Sequence, residues 1–169
     1  MKEIKTRIKS VESTKQITKA MELVSSSKFR KAKERAESAR PYFNTLYNTV
    51  QAKNTSNSRN VFLKERKVNN VCYIVIAGDR GLAGGYNSNI LKAVIAHNKL
   101  GTGKVIPVGK KAKESLSKRG YEVIDYIESV EKCVYEDANR VAQTAMEAYK
   151  NGEVDEVNLV YTEFISALS

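Results

Sequence analysis

The residues best suited to chemistry lie in a glycine-rich segment, residues 78–85, with the sequence Gly-Asp-Arg-Gly-Leu-Ala-Gly-Gly. It follows a β-prone apolar run and precedes a helical pattern, the order in which α/β folds bind phosphate groups. Its spacing is not G-x-G-x-x-G, and no Gly-Lys-Ser/Thr follows. A nucleotide-binding α/β enzyme therefore stays an alternative, while a tight turn approached closely by another surface is favoured. We predict that Gly81, Gly84 or Gly85 has a positive φ or lies too close to neighbouring backbone for a Cβ.

Other reactive side chains are scattered. Asp79 and Arg80 are adjacent, which is more typical of an ion pair that stabilises a turn than of an acid/base pair. The only histidine, His97, lies near a helix end and is predicted to be a surface or capping residue. Cys72 and Cys133 lack metal-ligand spacing, and Cys72 lies in an apolar run, so we expect a reduced core thiol there. The sequence thus predicts no catalytic, cofactor-binding or metal-binding residue.

Strand and helix patterns alternate through the second part of the chain. Strands are predicted at 71–76, 105–108, 121–124 and 157–161, and helices at 86–97, 110–119 and 135–150. This order predicts an α/β domain at 68–169 with an open, mostly parallel, Rossmann-like sheet and flanking helices. Pro107 cannot donate to a ladder, so we expect its strand to be an edge strand or to end there.

The first part of the chain has the pattern of one long helix over about residues 1–51, within a domain of residues 1–57. It contains no glycine, and its only proline, Pro41, is expected to kink it. At 1.5 Å per residue such a helix spans about 75 Å, far more than one small core requires.

The apolar residues of this helix form a narrow seam with heptad spacing and a three-residue stammer around Thr14. A stripe this narrow suits one partner helix rather than a broad core, so a coiled coil is predicted. The seam consists of Ile4, Ile8, Val11, Ile17, Met21 and Val24.

The charge of the chain is concentrated on the same helix. Residues 1–40 hold 12 Lys and Arg against 5 Asp and Glu, a net +7 of the total +10. Such a surface suits an acidic or polyanionic partner. A basic coiled-coil nucleic-acid-binding protein is therefore a further alternative, although the helix has few aromatic residues and matches no groove-reading motif. No apolar run is long enough to span a membrane and no signal-peptide pattern is seen, so a bacterial cytoplasmic chain is expected.

Several segments closely resemble the γ subunit of F-type rotary ATP synthase, and they are spread over the whole length of the chain. They are residues 4–11, 14–24, 27–32, 39–42, 78–87 and 157–169. The resemblance implies a non-catalytic central-stalk rotor subunit that couples proton-driven rotation to conformational change and ATP synthesis or hydrolysis in the catalytic β subunits. It implies α and β subunits, the ε subunit and the membrane c-ring as partners, with no cofactor, nucleic acid or small-molecule ligand. The implied location is peripheral, at the cytoplasmic face of the bacterial plasma membrane.

The resemblance also implies contact residues. In the family, part of the long helix meets an acidic loop of the catalytic β subunit, and the glycine-rich turn faces the same subunits. The corresponding positions are Met21, Lys28, Arg30 and Lys31 on the helix, and Asp79, Arg80, Gly81 and Leu82 in the turn. Ala83 stands where many members carry Cys. Members continue with another strand and a long C-terminal helix, which we expect this chain to lack after Ser169.

Overall fold

The structure is a computed structural model that describes residues 2–53, 61–63, 66–98, 101 and 103–165. The chain divides into two compact units, Met1–Ser58 and Arg59–Ser169. Each unit is described by itself.

The first unit is built on one helix, α1, which runs over Lys2–Lys53 and continues through Pro41. Threonine hydroxyls donate to carbonyls one turn back, as Thr14 does to Ser10 at 3.0 Å, so these polar groups are satisfied within the helix. Arg30 and Glu34 form an exposed ion pair at 3.7 Å. Every residue from 2 to 52 is exposed. The predicted long helix is confirmed.

The second unit alternates strands and helices, as predicted. A short 3₁₀ helix at Val61–Leu63 precedes them. The strands are β1 (Val71–Ile76), β2 (Lys104–Val108), β3 (Glu122–Val123) and β4 (Glu156–Val160). The helices are α2 (Tyr86–His97), α3 (Lys110–Ser117) and α4 (Tyr135–Lys150).

The four strands form one parallel sheet in the order β3-β2-β1-β4. Because strand side chains alternate between faces, β1 supplies two cores. Tyr73 and Val75 pack with the buried faces of α2 and α3. Cys72 packs with the buried face of α4 on the opposite side. A strand buried on both faces explains the unbroken apolar run of 71–76. The predicted Rossmann-like α/β sheet is confirmed.

Pro107 lies in an interior strand, so the edge-strand interpretation is wrong, whereas its alternative is confirmed: β2 ends one residue later, at Val108. The Pro107 carbonyl accepts from the Ile127 N–H at 3.0 Å, which places its missing donor on the β3 side of β2. The register with β3 covers only Lys104 and Val105. Pro107 lies beyond this register, so β2 loses no ladder hydrogen bond with β3 because proline lacks an N–H.

The carboxyl ends of β1 and β2 are held together by a close backbone approach at Gly109. This residue has φ +102°, and a Cβ built on it would lie 2.2 Å from the carbonyl oxygen of Ala77. The Ala77 N–H donates to Val108 at 2.9 Å, and the Gly109 N–H donates to Ile127 at 2.8 Å. Only glycine fits such a position.

We expect Gly109→Ala to lower the free energy of unfolding by at least about 2 kcal/mol, because a side chain there is both strained and in collision with backbone. Urea denaturation followed by circular dichroism measures the loss. Gly81→Ala is the matched control, because a Cβ there meets nothing within 4 Å. Equal stability of the two variants would contradict the close approach at Gly109.

Candidate functional site

The glycine-rich turn, residues 78–85, leaves the carboxyl end of β1. The chain passes from β1 to β2 on one side, and β4 lies on the other side of β1. The strand order therefore reverses beside this turn, at the position where doubly wound sheets usually bind ligands. Whether the turn can bind a ligand depends on which of its polar groups already form hydrogen bonds within the chain.

Asn87, in the first turn of α2, satisfies the inner polar groups of the glycine-rich turn. Its Oδ1 accepts from the Gly78 N–H at 2.8 Å, and its Nδ2 donates to the Arg80 carbonyl at 3.1 Å. A Cβ on Gly78 would lie 3.2 Å from that Oδ1. The backbone donor nearest β1 is thus used within the chain, which favours a structural turn over a phosphate-binding loop. Sequence reasoning missed Asn87, although asparagine often replaces backbone hydrogen bonds in turns.

Asp79 ties the same turn to the loop after β3. Its carboxylate accepts from the Ser129 hydroxyl at 2.8 Å and from the Val130 N–H at 3.2 Å. The predicted ion pair with Arg80 is wrong: in the described part of the chain Arg80 is exposed, and the Asp79 carboxylate contacts Ser129 and Val130 instead. Asp79 still stabilises the turn, but through a hydroxyl and a backbone amide.

The tip of the turn contains two residues with positive φ, Leu82 at +58° and Gly84 at +54°. The glycine prediction is therefore confirmed at Gly84, whereas Gly85 has an ordinary φ of −78°. Leu82 was not expected to adopt this conformation, which costs a residue with a Cβ roughly 1–2 kcal/mol. Its relative exposure is 109%, so no intramolecular packing of its side chain compensates.

An open cleft of about 500 Å³ lies beside the turn, between it and the loop that follows β3. Its lining mixes acidic and basic side chains, several of which form ion pairs. Lys110 contacts Glu128 at 3.0 Å, and this hydrogen bond raises the pKa of the lysine. Arg140 pairs with Asp125 and lies 3.9 Å from Asp137. Mixed, paired charges make a poor site for a polyanion.

The remaining reactive side chains have structural surroundings. Burial raises the pKa of the Cys72 thiol to about 11, which keeps it neutral, as expected for a core thiol. His97 is exposed, as predicted, and its Nδ1 lies 3.0 Å from the hydroxyl of the buried Tyr73. Within the described ranges, no group of three or more His, Cys, Asp or Glu side chains could hold a metal ion.

The second surface is the apolar seam of α1. Each of its six residues is more than half exposed, from 57% at Val24 to 64% at Met21. The predicted contact residues Lys28, Arg30 and Lys31 are also exposed on this helix. An unbroken helix with an uncovered apolar stripe is suited to bind another helix.

These features define a class of protein: a long, basic helix with a helix-binding seam, connected to a doubly wound α/β unit whose glycine-rich turn is held by internal hydrogen bonds. The sequence profile of the ATP synthase family matches residues 1–169. The ATP synthase gamma chain of Alkaliphilus metalliredigens is 44% identical over 173 residues, covering 100% of this chain and 60% of the relative. That of Ruminococcus albus is 46% identical over 176 residues, covering 100% and 62%.

A third relative, from Acetobacterium woodii, is named a sodium ion specific ATP synthase gamma chain. It is 42% identical over 173 residues, covering 100% of this chain and 57% of the relative. The chain belongs to the ATP synthase gamma chain family. It spans about 60% of the length of these relatives.

We expect a thiol reagent to modify Cys133 in the folded protein and both cysteines after denaturation. Cys133 is exposed, whereas Cys72 is fully buried and has a raised pKa. Titration with Ellman's reagent at pH 8, with and without guanidinium chloride, counts the reactive thiols. Rapid modification of both in the native protein would mean that the sheet core opens readily.

We also expect residues 1–40 of the isolated chain either to fray or to self-associate through the seam. Burying a large apolar side chain is worth about 1.5–3 kcal/mol, and a long helix without packing is marginal in water. Circular dichroism and sedimentation over a concentration series test this. Replacing Ile17 and Met21 by Gln should reduce association, while Lys15→Gln with Lys19→Gln should not. A strictly monomeric chain with a fully helical, exchange-protected segment 1–40 would contradict the expectation.

Proposed function

We propose that this chain acts in the central-stalk rotor of an ATP synthase, with residues 1–57 in the shaft and residues 68–169 in the globular part. The observation that carries the proposal is a family match over the whole chain, combined with an uncovered heptad seam on an unbroken helix of 52 residues. In this role the seam pairs with a second, antiparallel helix. That pairing would make the shaft stiff enough to transmit torque.

The basic faces of α1 suit contacts with a ring of α and β subunits. A shaft that turns past three equivalent β subunits cannot bind one of them so tightly that it stops there. Exposed Lys and Arg side chains form contacts that are individually weak, mostly below about 1 kcal/mol. Met21, Lys28, Arg30 and Lys31 are the proposed contacts with the acidic loop of the catalytic β subunit. An asymmetric shaft biases each β subunit by differential contact energy, so its effect changes with rotation.

The globular part is proposed to contact the ε subunit and the membrane c-ring from the cytoplasmic side, as a peripheral component of a bacterial membrane complex. No helix in the described ranges is long and apolar enough to cross a membrane. In this role the chain performs no catalytic step. The chain couples proton-driven rotation to the affinity of the β subunits for nucleotides.

Co-expression with the α and β subunits of the same organism tests the proposal. We expect the affinity-tagged chain to co-purify with both subunits, and rotation-linked ATPase activity to appear when a second, antiparallel helix that covers the seam is present. The seam variant with Gln at positions 17 and 21 should co-purify less well than the variant with Gln at positions 15 and 19. Absence of both subunits, or sub-micromolar DNA binding that persists at physiological salt, would overturn it.

A further inference from the structure

We propose that Arg66 and Tyr149 are positioning residues that fix the segment between the long helix and the sheet, so that torque passes between the two parts of the rotor. Together with Phe62 they form a cluster that we call the clamp. The proposal rests on the proposed function, since torque matters only in a rotor. It adds which side chains hold the segment through which the chain passes from α1 to β1.

The clamp is built around the ring of Tyr149, in the last turn of α4. The Phe62 ring stacks on it, with the two centroids 5.7 Å apart and an angle of 23° between the planes. The guanidinium carbon of Arg66 lies 4.0 Å from the centre of the same Tyr149 ring, which is a cation–π contact. One aromatic ring therefore contacts both the short 3₁₀ helix at Val61–Leu63 and the residue that leads toward β1.

Arg66 also bonds to the backbone of the residue whose ring it contacts. Its Nη1 donates to the Tyr149 carbonyl at 2.9 Å, in a partly buried position. Carbonyls in the last turn of a helix lack partners within the helix, and the helix dipole favours a cation there. A planar guanidinium with several donors can contact the ring and the carbonyl at once, whereas a compact ammonium group is less suited to both.

The end of the connecting segment is attached at a second point, just before β4. The Asp155 carboxylate accepts from the N–H groups of Asn69 and Asn70, at 3.0 Å and 2.9 Å. These bonds, with that from Asn70 the stronger cause, lower the pKa of the Asp155 carboxyl group, which keeps it ionised at neutral pH. The Asp155 N–H in turn donates to the Asn70 carbonyl at 2.8 Å. Residues 66–70 are thus attached at both ends, directly before the interior strand β1.

The place of the clamp in the chain gives it a role beyond packing. Only residues 54–60 lie between the end of α1 at Lys53 and the 3₁₀ helix that begins at Val61. Torque carried along this connection reaches the sheet at the clamp before it reaches β1. Tyr149 packs against the core beneath α4, whereas Phe62 is 41% exposed, so the stacked rings attach an outer segment to the core. A connection that moved at this point would absorb rotation instead of transmitting it.

Hydrogen exchange of the full chain tests whether the clamp holds the segment. In Tyr149→Leu and Arg66→Gln we expect the amides of residues 66–70 to exchange about tenfold faster, the effect of losing a cation–π contact. Tyr149→Phe keeps the stacked ring and should retain most of the protection. Lys67→Gln is the matched control, because it removes an exposed charge from the neighbouring position.

Proton pumping by the assembled synthase, reconstituted in vesicles, tests the transmission of torque. The ATPase rate and the uptake of protons are measured in the same sample. We expect Tyr149→Leu and Arg66→Gln to keep the parental ATPase rate but to move fewer protons for each ATP hydrolysed. A purely structural role would reduce the amount of assembled complex, which lowers both rates together and leaves their ratio unchanged. Tyr149→Phe and Lys67→Gln should have the parental ratio.

Unchanged exchange in both Tyr149→Leu and Arg66→Gln would overturn the clamp. Faster exchange with a parental ratio of protons to ATP would overturn the transmission of torque while the proposed function stands. An equal fall of this ratio in Lys67→Gln would also overturn it, because the effect would then come from charge alone. If Tyr149→Leu does not fold, Arg66→Gln decides, since it leaves the core residues in place. If the parental chain does not assemble with α and β subunits, the proposed function falls, and this inference with it.

Discussion

The second unit depends on one backbone contact, the approach of Gly109 to the carbonyl of Ala77. It fixes the distance between the carboxyl ends of β1 and β2, from which the glycine-rich turn and α3 begin. The Lys111 N–H donates across the same junction to the Gly78 carbonyl at 3.1 Å. Because the turn starts next to this junction, its orientation is set by the sheet rather than by a flexible loop. The turn can therefore present one side chain in a fixed direction.

The two candidate surfaces, the seam of α1 and the glycine-rich turn, differ in how their apolar side chains are held. On α1 the apolar residues are exposed in a regular stripe, so the helix gains its packing only when another helix covers it. In the turn, hydrogen bonds from Asn87, Ser129 and Val130 hold the backbone, and one apolar side chain, Leu82, is fully exposed. The helix thus offers a large, adaptable surface whose charged contacts are individually weak, while the turn offers a small contact with little freedom. Under the proposed function, the first suits repeated passage past equivalent partners and the second suits a defined point of contact.

Periodicity and composition are enough to predict the elements of this chain. The helices at 86–97 and 135–150 coincide with α2 and α4, because both have helical apolar spacing and a glycine, Gly101 or Gly152, follows each. Strand order was not predictable, since it depends on which edge of β1 receives the last strand. Pro107 correctly indicated the end of a strand but not an edge strand, because the two-residue β3 forms no ladder hydrogen bond that would need the N–H of Pro107. Leu82 could not be foreseen because glycines surround it, and local propensity assigns the positive φ to them rather than to leucine.

The topology of the sheet creates a position for a ligand, and the side chains decide whether one binds there. The glycine-rich turn lies beside the reversal of strand order, where a doubly wound fold commonly places a phosphate group. Here the amide of Gly78 donates to Asn87 instead, and Asp79 uses its carboxylate on Ser129 and Val130. The innermost amide of the turn and its only carboxylate thus serve to hold the turn in place. Under the proposed function, a fold position associated with small-molecule binding supports contact with a protein instead. The site must therefore be judged from its hydrogen bonds and not from its place in the sheet.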